Sequence, residues 1–283
     1  MAVPVNKADT RVDDPESVEL DLLLEAVYRY HGDDFRSYDR QALQRRLTAF
    51  LAATGVPNLS ALQGQVLRNT AMHDALLRAL TVHDHALFDA PAQWLALREL
   101  AGPLLRSYAA PKVWIAECTS AQEVFALAIL LAEEGLYDKT TIYATASSEA
   151  VLLDVQAGRF GTNKLEEYSG NYRASGGKNE LVDYCIDHGD GFAYAPRLFD
   201  NISWAHHSMA VDNAFNEFQL ILCRHALADF GTLLQRRVLG LFGESLVQFG
   251  ILMVDPATDF DQPPYSINYR KLPQHEGLYR RIG

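Results

Sequence analysis

A chain of 283 residues, 48% hydrophobic and 22% charged, reads as soluble and globular, with material for one substantial core or two domains. Its formal net charge of −11 argues against nucleic-acid binding, which calls for a basic surface. Cys118, Cys185 and Cys223 fall at no paired or metal-ligating spacing, and neither a leader nor a membrane-spanning run is visible, so a reducing cytoplasm without membrane insertion is the expected setting.

The first 17 residues are polar and are expected to form a disordered arm. Residues 18–80 read as a helical domain. Leu20, Leu23, Leu24, Val27 and Tyr28 make one apolar stripe, and Leu43, Leu47, Phe50 and Leu51 another, with a break at Gly55-Val56-Pro57. Arg40, Arg45 and Arg46 gather positive charge on this otherwise acidic domain. That pattern fits a solvated helix face or a docking point for an acidic protein partner. Residues 81–110 read as a linker with a connecting helix at 91–105. Pro91 suits its first turn and Asp89 could cap it. Gly102-Pro103 and Ala109-Ala110-Pro111 then mark the passage into a sheet domain.

Residues 112–116 read as a short buried strand, 117–120 as a polar turn, 121–134 as a helix with apolar positions at helical spacing, and 140–144 as a β-branched second strand. Gly135 is a plausible helix stop. This is the first βαβ unit of a parallel sheet, and ligands of such sheets sit where strands end and helices begin. The turn between strand and helix, ECTSAQE, carries no glycine, although a nucleotide loop ordinarily does so that backbone can approach the ligand. The second strand ends in Ala146 where an acid would accept hydrogen bonds from a ribose. The scaffold is of a nucleotide-binding kind; the chemistry expected at its mouth is missing.

Residues 150–157 read as a further helix. The span from Arg159 to Met209 is irregular and rich in Gly, Asn and Tyr, with short alternating pieces at 191–196 and 201–205. It is expected to be an excursion carrying a small antiparallel sheet, at about 161–209. A buried strand at 217–224, a helix at 233–242 and a last strand at 247–254, interrupted by Gly250, close the sheet domain of 111–254. The tail, 255–283, is Pro-rich and polar, with aromatic anchors at Tyr265, Tyr269 and Tyr279.

The order and wording of these segments resemble the CheR-type chemotaxis receptor methyltransferases over about four-fifths of the chain. YDRQALQRRL (38–47) is similar to that family's tyrosine-then-double-arginine helix. TVHDHALFDAPAQW (81–94) is similar to its linker motif Thr-Thr-Asn-Glu-Thr-Ser-Phe-Phe-Arg, and ECTSAQE to its cofactor loop, Gly-Cys-Ser-Thr-Gly-Glu-Glu. FQLILCRHALADF (218–230) is similar to its Phe-Asp-Val-Ile-Phe-Cys-Arg-Asn-Val-Leu-Ile-Tyr-Phe strand, and LLQRRVL (233–239) follows in place. The resemblance implies an α/β fold: a helical N-terminal domain followed by a Rossmann-like S-adenosylmethionine methyltransferase domain with a small inserted antiparallel β-subdomain. It also implies methylation of receptor glutamates.

The departures are as specific as the matches. Carried over position by position, the resemblance puts the vestigial cofactor cleft at Glu117, Cys118, Thr119, Ser120, Ala121, Glu123, Ala146 and His225. Glu117 and Ala121 replace both loop glycines, Gln122 replaces one acid while Glu123 keeps the other, and Ala146 replaces the ribose-holding aspartate. His83 and His85 replace the linker Asn and Thr, Asp89 its arginine, His225 the Asn of the later strand and Asp229 its tyrosine. Asp89 and Asp229 are therefore vestigial catalytic positions. Phe88, Trp114, Cys223, Arg224, Leu227 and Phe230 keep the packing. The expectation is a non-catalytic regulatory or scaffolding relative in bacterial signalling, acting through a protein partner and holding no cofactor. An active enzyme with an altered pocket would instead use S-adenosylmethionine, since methyl transfer needs mainly positioning. A third reading puts another ligand in the old cleft. No metal is expected there; were one held, His83, His85 and His225 are the candidate ligands.

Overall fold

The computed structural model describes residues 14–256, 258, 260, 267–273 and 275–283. Four helices form the N-terminal domain: α1 (Pro15–His31), α2 (Arg40–Thr54), α3 (Leu59–Val66) and α4 (Thr70–Thr81). Their starts are written locally. The side chains of Asp39, Asn58 and Asn69 accept hydrogen bonds from backbone N–H groups of the first turns of α2, α3 and α4. Gly55 ends α2 in the left-handed conformation, φ +71°. Leu20, Leu23, Leu43, Leu47, Leu62 and Leu76 share one core. The arm expected over residues 1–17 is too long at its inner end, because Pro15 opens α1 and Glu16 and Ser17 continue it; residues 1–13 lie outside the described residues.

Helix α5 (Pro91–Arg106) connects the domains. Pro91 occupies its first turn, but the cap residue is Ala90 at φ +49° with no side-chain bond. Asp89 does not cap it; its carboxylate is turned to Arg224, which offers a charged partner. The helix also runs through Gly102 and Pro103 rather than stopping there. Arg98 ties α5 to the next helix through a buried ion pair with Glu133, at 2.5 Å.

The sheet has seven strands in the order β6-β2-β1-β7-β8-β10-β9: β1 (Lys112–Ile115), β2 (Thr141–Ala146), β6 (Ile202–His206), β7 (Phe218–Cys223), β8 (Leu246–Val254), β9 (Tyr269–Lys271) and β10 (Leu278–Arg281). The first five are parallel, and β10 runs antiparallel to both neighbours. Helices α6 (Ala121–Glu133) and α7 (Glu149–Gln156) return the chain from β1 to β2 and onward, while α9 (Thr232–Ser245) joins β7 to β8. Strand order therefore reverses between β1 and β7, and the crevice beyond their carboxyl ends is where such a sheet takes a ligand. Buried Trp114 fills the far face of the sheet against Phe218 and Phe242. In β8, Phe249 at φ +64° precedes Gly250. A Cβ at Gly250 would stand 2.9 Å from the Val247 carbonyl oxygen, and the register against β7 shifts nearby.

A separate three-stranded antiparallel sheet, β3 (Arg159–Gly161), β4 (Cys185–Asp187) and β5 (Gly191–Tyr194), forms the inserted subdomain. Helix α8 (Leu165–Ala174) lies inside it, with only Tyr168 and Tyr172 buried and Gly170 mid-helix, too thin a stripe for periodicity to reveal. Two boundaries are corrected. The expected insertion at 161–209 runs too far, because Ile202–His206 pairs in parallel with β2. As the outer strand of the main sheet it is half-exposed and reads like a subdomain strand. The tail of 255–283 is not separate either. β9 and β10 extend the main sheet, and Tyr269 and Tyr279 are buried in its core; Tyr265 lies outside the described residues.

The N-terminal domain sits over the carboxyl ends of the strands. Asp39 N–H donates to the Asp229 carbonyl at 2.8 Å, Gly231 N–H to the Ser37 carbonyl at 2.9 Å, and Tyr38 pairs with Phe230.

Candidate functional site in the crevice between the first strand and its neighbour

Glu117 leaves β1 at φ +54°, a conformation costly for any side-chain-bearing residue. It is 4% exposed. Its Oε1 accepts hydrogen bonds from Ser147 Oγ at 2.5 Å and Ser147 N at 3.2 Å. The side chain thus crosses from the glycine position of the first turn to the end of β2, beside Ala146, where the acid is missing. Burial pushes its carboxyl up, and the Ser147 bonds pull against that. Ala121 sits in the first turn of α6 without positive φ, so a methyl costs the backbone nothing there. Cys118 is buried, its N–H on the Thr145 carbonyl at 2.6 Å and its thiol pushed up by burial. Thr119 Oγ1 stands 3.5 Å from His85 Nε2. Ser120 is the α6 cap residue, yet its Oγ is buried without a hydrogen-bond partner. Glu123 is buried, and burial raises its carboxyl to about 7 although Arg224 and His225 draw it down.

The linker closes the crevice from above. His83 Nε2 lies 2.9 Å from Asp229 Oδ2, and Arg46 Nη2 lies 2.7 Å from the same oxygen. Arg46 Nη1 donates to the carbonyls of Ala79 and Val82. Arg46 is therefore not a surface docking residue, as its sequence position had suggested: Asp229 and the carbonyls at the end of α4 turn it inward. Arg40 and Arg45 stay exposed, Arg40 paired with Asp21 at 2.6 Å. The cavity beside Glu117, walled by Tyr38, His83, Asp229 and Phe230, measures about 10 Å³, about the space of one water. A larger cleft of about 630 Å³ opens to one side, between Arg78 and Val82 of the N-terminal domain, Ser120 and Gln122, and Asp154 of α7.

A second cluster lies farther along the crevice, half-buried. His85 stacks on His225, ring centroids 3.5 Å apart. Asp89 Oδ1 accepts from Arg224 Nη1 at 2.8 Å, and its Oδ2 lies 3.3 Å from His225 Nε2. His225, at φ +68°, is held from the other side by Asp255: backbone N to Oδ2 at 2.6 Å and Nδ1 to Oδ1 at 3.1 Å. Burial pushes Asp89 up, but the neighbouring His225 and Arg224 hold its carboxyl at about 2. Burial and the neighbouring His225 depress His85 to about 3. The structure thus joins His85 and His225 to Asp89, whereas His83 belongs with Arg46 and Asp229. His206 accompanies Ser147 instead, its Nε2 3.0 Å from that carbonyl.

Two residues had no place in the sequence reading: Ser147, which holds Glu117, and Asp255, which holds His225. Both follow directly on the carboxyl ends of strands, β2 and β8, and that position was the available signal.

Comparison with known proteins gives consistent findings. The family model described as the CheR methyltransferase SAM binding domain matches residues 88–269, and that of the CheR methyltransferase all-alpha domain matches residues 18–81. A Pseudomonas putida protein named Cher3 is 37% identical over 93% of this chain and 97% of its own. A chemotaxis protein methyltransferase of Listeria monocytogenes is 24% identical over 81% of this chain and 85% of its own. Among solved structures, the glycopeptide N-methyltransferase MtfA complexed with sinefungin aligns with a TM-score of 0.36 at 12% identity, covering 70% of this chain and 60% of that one. CalS10 of Micromonospora echinaspora, an amino pentose methyltransferase, aligns at 0.34 and 10% identity, covering 61% and 56%.

Proposed function

The chain belongs to the CheR methyltransferase family, and we propose that this member has given up the cofactor and works as a non-catalytic regulator or scaffold in bacterial signalling, in the cytoplasm. One observation carries the reading. Glu117 fills the first-turn glycine position and spends its carboxyl on Ser147, at the strand end where the ribose-holding acid is replaced by Ala146. Cofactor ribose would meet a buried carboxyl already bonded, and no aspartate of its own. Asp89 and Asp229 are each engaged by a cation, Arg224 and Arg46, and act as structural acids.

Titration calorimetry is the direct test. With S-adenosylmethionine up to about 1 mM, no saturable heat is expected, since affinity weaker than that is worth less than about 4 kcal/mol. A low-micromolar dissociation constant, with displacement by S-adenosylhomocysteine, would overturn the reading in favour of an active enzyme with an altered pocket.

The partner in this role is a signalling or receptor protein with an acidic surface, met by Arg40 and Arg45. Among the described residues no helix is long and apolar enough to cross a membrane. Arg40→Glu with Arg45→Glu is expected to lower capture of that partner at least tenfold without loss of fold, because both side chains are exposed. Unchanged capture by the folded double variant would remove this face from the interface.

A further inference from the structure

The three ligand-type atoms of His85, Asp89 and His225 lie within 4.8 Å of one another. From this cluster we infer that the old cofactor crevice has become a binding site for one divalent first-row cation, zinc being the best fit. The inference builds on the proposed loss of the cofactor, and goes beyond it by naming what the crevice holds.

Two imidazoles and one carboxylate are a donor set for zinc or a related ion, with a fourth position left open. The surroundings prepare these donors. Asp255 accepts from the backbone N of His225 and sits 3.1 Å from its Nδ1. Its Nε2, across the ring from Asp255, stands 3.3 Å from Asp89 Oδ2. This is the carboxylate–histidine arrangement that orients metal-binding imidazoles. Arg224 engages Asp89 Oδ1 and so directs the other oxygen at the cluster. Either a proton or a metal ion between this nitrogen and the carboxylate oxygen makes the contact favourable. His225 Nε2 is buried and has no hydrogen-bond partner. Asp89 and Asp255 face one arginine here, and a cation in the cluster suits that balance.

Part of the geometry is what zinc asks. Ligand atoms in a tetrahedron with bonds of 2.0–2.2 Å stand about 3.4 Å apart. The Asp89–His225 contact already has that spacing, while His85, stacked on His225 with planes 17° apart and within 4.8 Å of the other ligand atoms, has to leave that stack and turn a nitrogen toward the ion. The backbone on both ligand segments is held in the left-handed region: Phe88 and Ala90 on either side of Asp89, and His225 itself, at φ +53°, +49° and +68°. Such strain persists where the surrounding structure enforces it, and ligand clamps are among those places.

The test is zinc binding to chelator-treated full-length protein with no S-adenosylmethionine present, so that it succeeds or fails separately from the cofactor titration. Calorimetry with zinc chloride and elemental analysis after gel filtration are expected to give one zinc per chain at micromolar affinity or tighter. His85→Ala and His225→Ala should each weaken binding more than about 100-fold, and Asp255→Asn, which orients a ligand without touching the ion, by about 10- to 100-fold. His206→Ala, outside the cluster, should leave it unchanged. Cobalt loading should give visible absorption bands that His85→Gln removes, a readout that holds if an alanine variant fails to fold. Less than about a tenth of an ion per chain, with a proton as the sole occupant between Asp89 and His225, overturns the inference. So does wild-type affinity in a folded His85 or His225 variant.

Discussion

Glu117→Gly, Ala121→Gly and Ala146→Asp together are expected to raise affinity for S-adenosylmethionine by about three decades. A carboxylate on ribose hydroxyls makes charge-assisted bonds of about 1.5–3 kcal/mol each, and roughly 4 kcal/mol corresponds to three decades. The structure ranks the three changes. Removing the Glu117 side chain empties the crevice beside Ser147, takes away a buried carboxyl, and relieves a non-glycine residue held at φ +54°. The carboxylate introduced by Ala146→Asp then stands at the end of β2, where Ser147 has lost its partner. Ala121→Gly contributes least, because α6 begins there with ordinary helical backbone. The fold should survive, since positions 117 and 146 lie at strand ends rather than among the side chains that fill the sheet's faces. Calorimetry on the folded triple variant is the measurement. Affinity unchanged from wild type would put the obstruction in the Arg46–His83–Asp229 closure above the crevice instead.

Arg224→Met is expected to destabilise the metal-free protein by about 3–5 kcal/mol at pH 8 and by less near pH 4. Arg224 is 1% exposed and is paired with Asp89 at 2.8 Å. Methionine fills comparable space but leaves a carboxylate buried without its cation, which costs more than the pair itself was worth. The pH dependence follows from Glu123. Its carboxyl is raised to about 7 in the folded protein, chiefly by burial, with Arg224 the first opposing influence. A raised acid contributes stability below its unfolded value, near 4.5, and loses it as pH climbs through the folded value. Near pH 4 Glu123 is neutral and does not feel the loss of Arg224; toward pH 8 the wild type ionises it beside Arg224, whereas the variant, with nothing from Arg224 to draw that carboxyl down, ionises it only at a further cost. Urea unfolding of wild type and variant at both pH values measures the difference. Equal destabilisation at the two would remove Glu123 from the account.

Much of the frame was legible in residue order. Val113, Trp114 and Ile115 form an apolar run too short for a helix, and the stripe through Val124, Phe125, Leu127 and Leu131 recurs at helical spacing, so β1 and α6 follow from local pattern. The changed cofactor positions were legible too, since an acid for a glycine and an alanine for an acid alter chemistry visible one residue at a time. Strand β6 was read at 201–205 but assigned to the inserted excursion rather than to the main sheet, because pattern alone does not say which neighbour a half-exposed strand pairs with. Strands β9 and β10 were not read; both are short, and β9 lies at the sheet's edge, where exposure blurs the alternation that marks a strand.

By itself, then, the order of residues determined the family, the helical and sheet-forming segments, and the loss of glycine and acid at the mouth of the sheet. Tertiary structure decided where the replacing side chains went. Glu117 meets Ser147 across 30 residues of sequence, Arg224 meets Asp89 across 135, and Arg46 meets Asp229 across 183. Periodicity reports neighbours within a few residues, through the 3.6- and 2-residue repeats of helix and strand. The partner of a polar side chain is chosen instead by which loops the sheet brings together at its carboxyl edge, and by the cost of leaving a charge there unpaired. That is why an arginine of a surface-like helix turned inward, and why two histidines and an aspartate from separate motifs came to face one another.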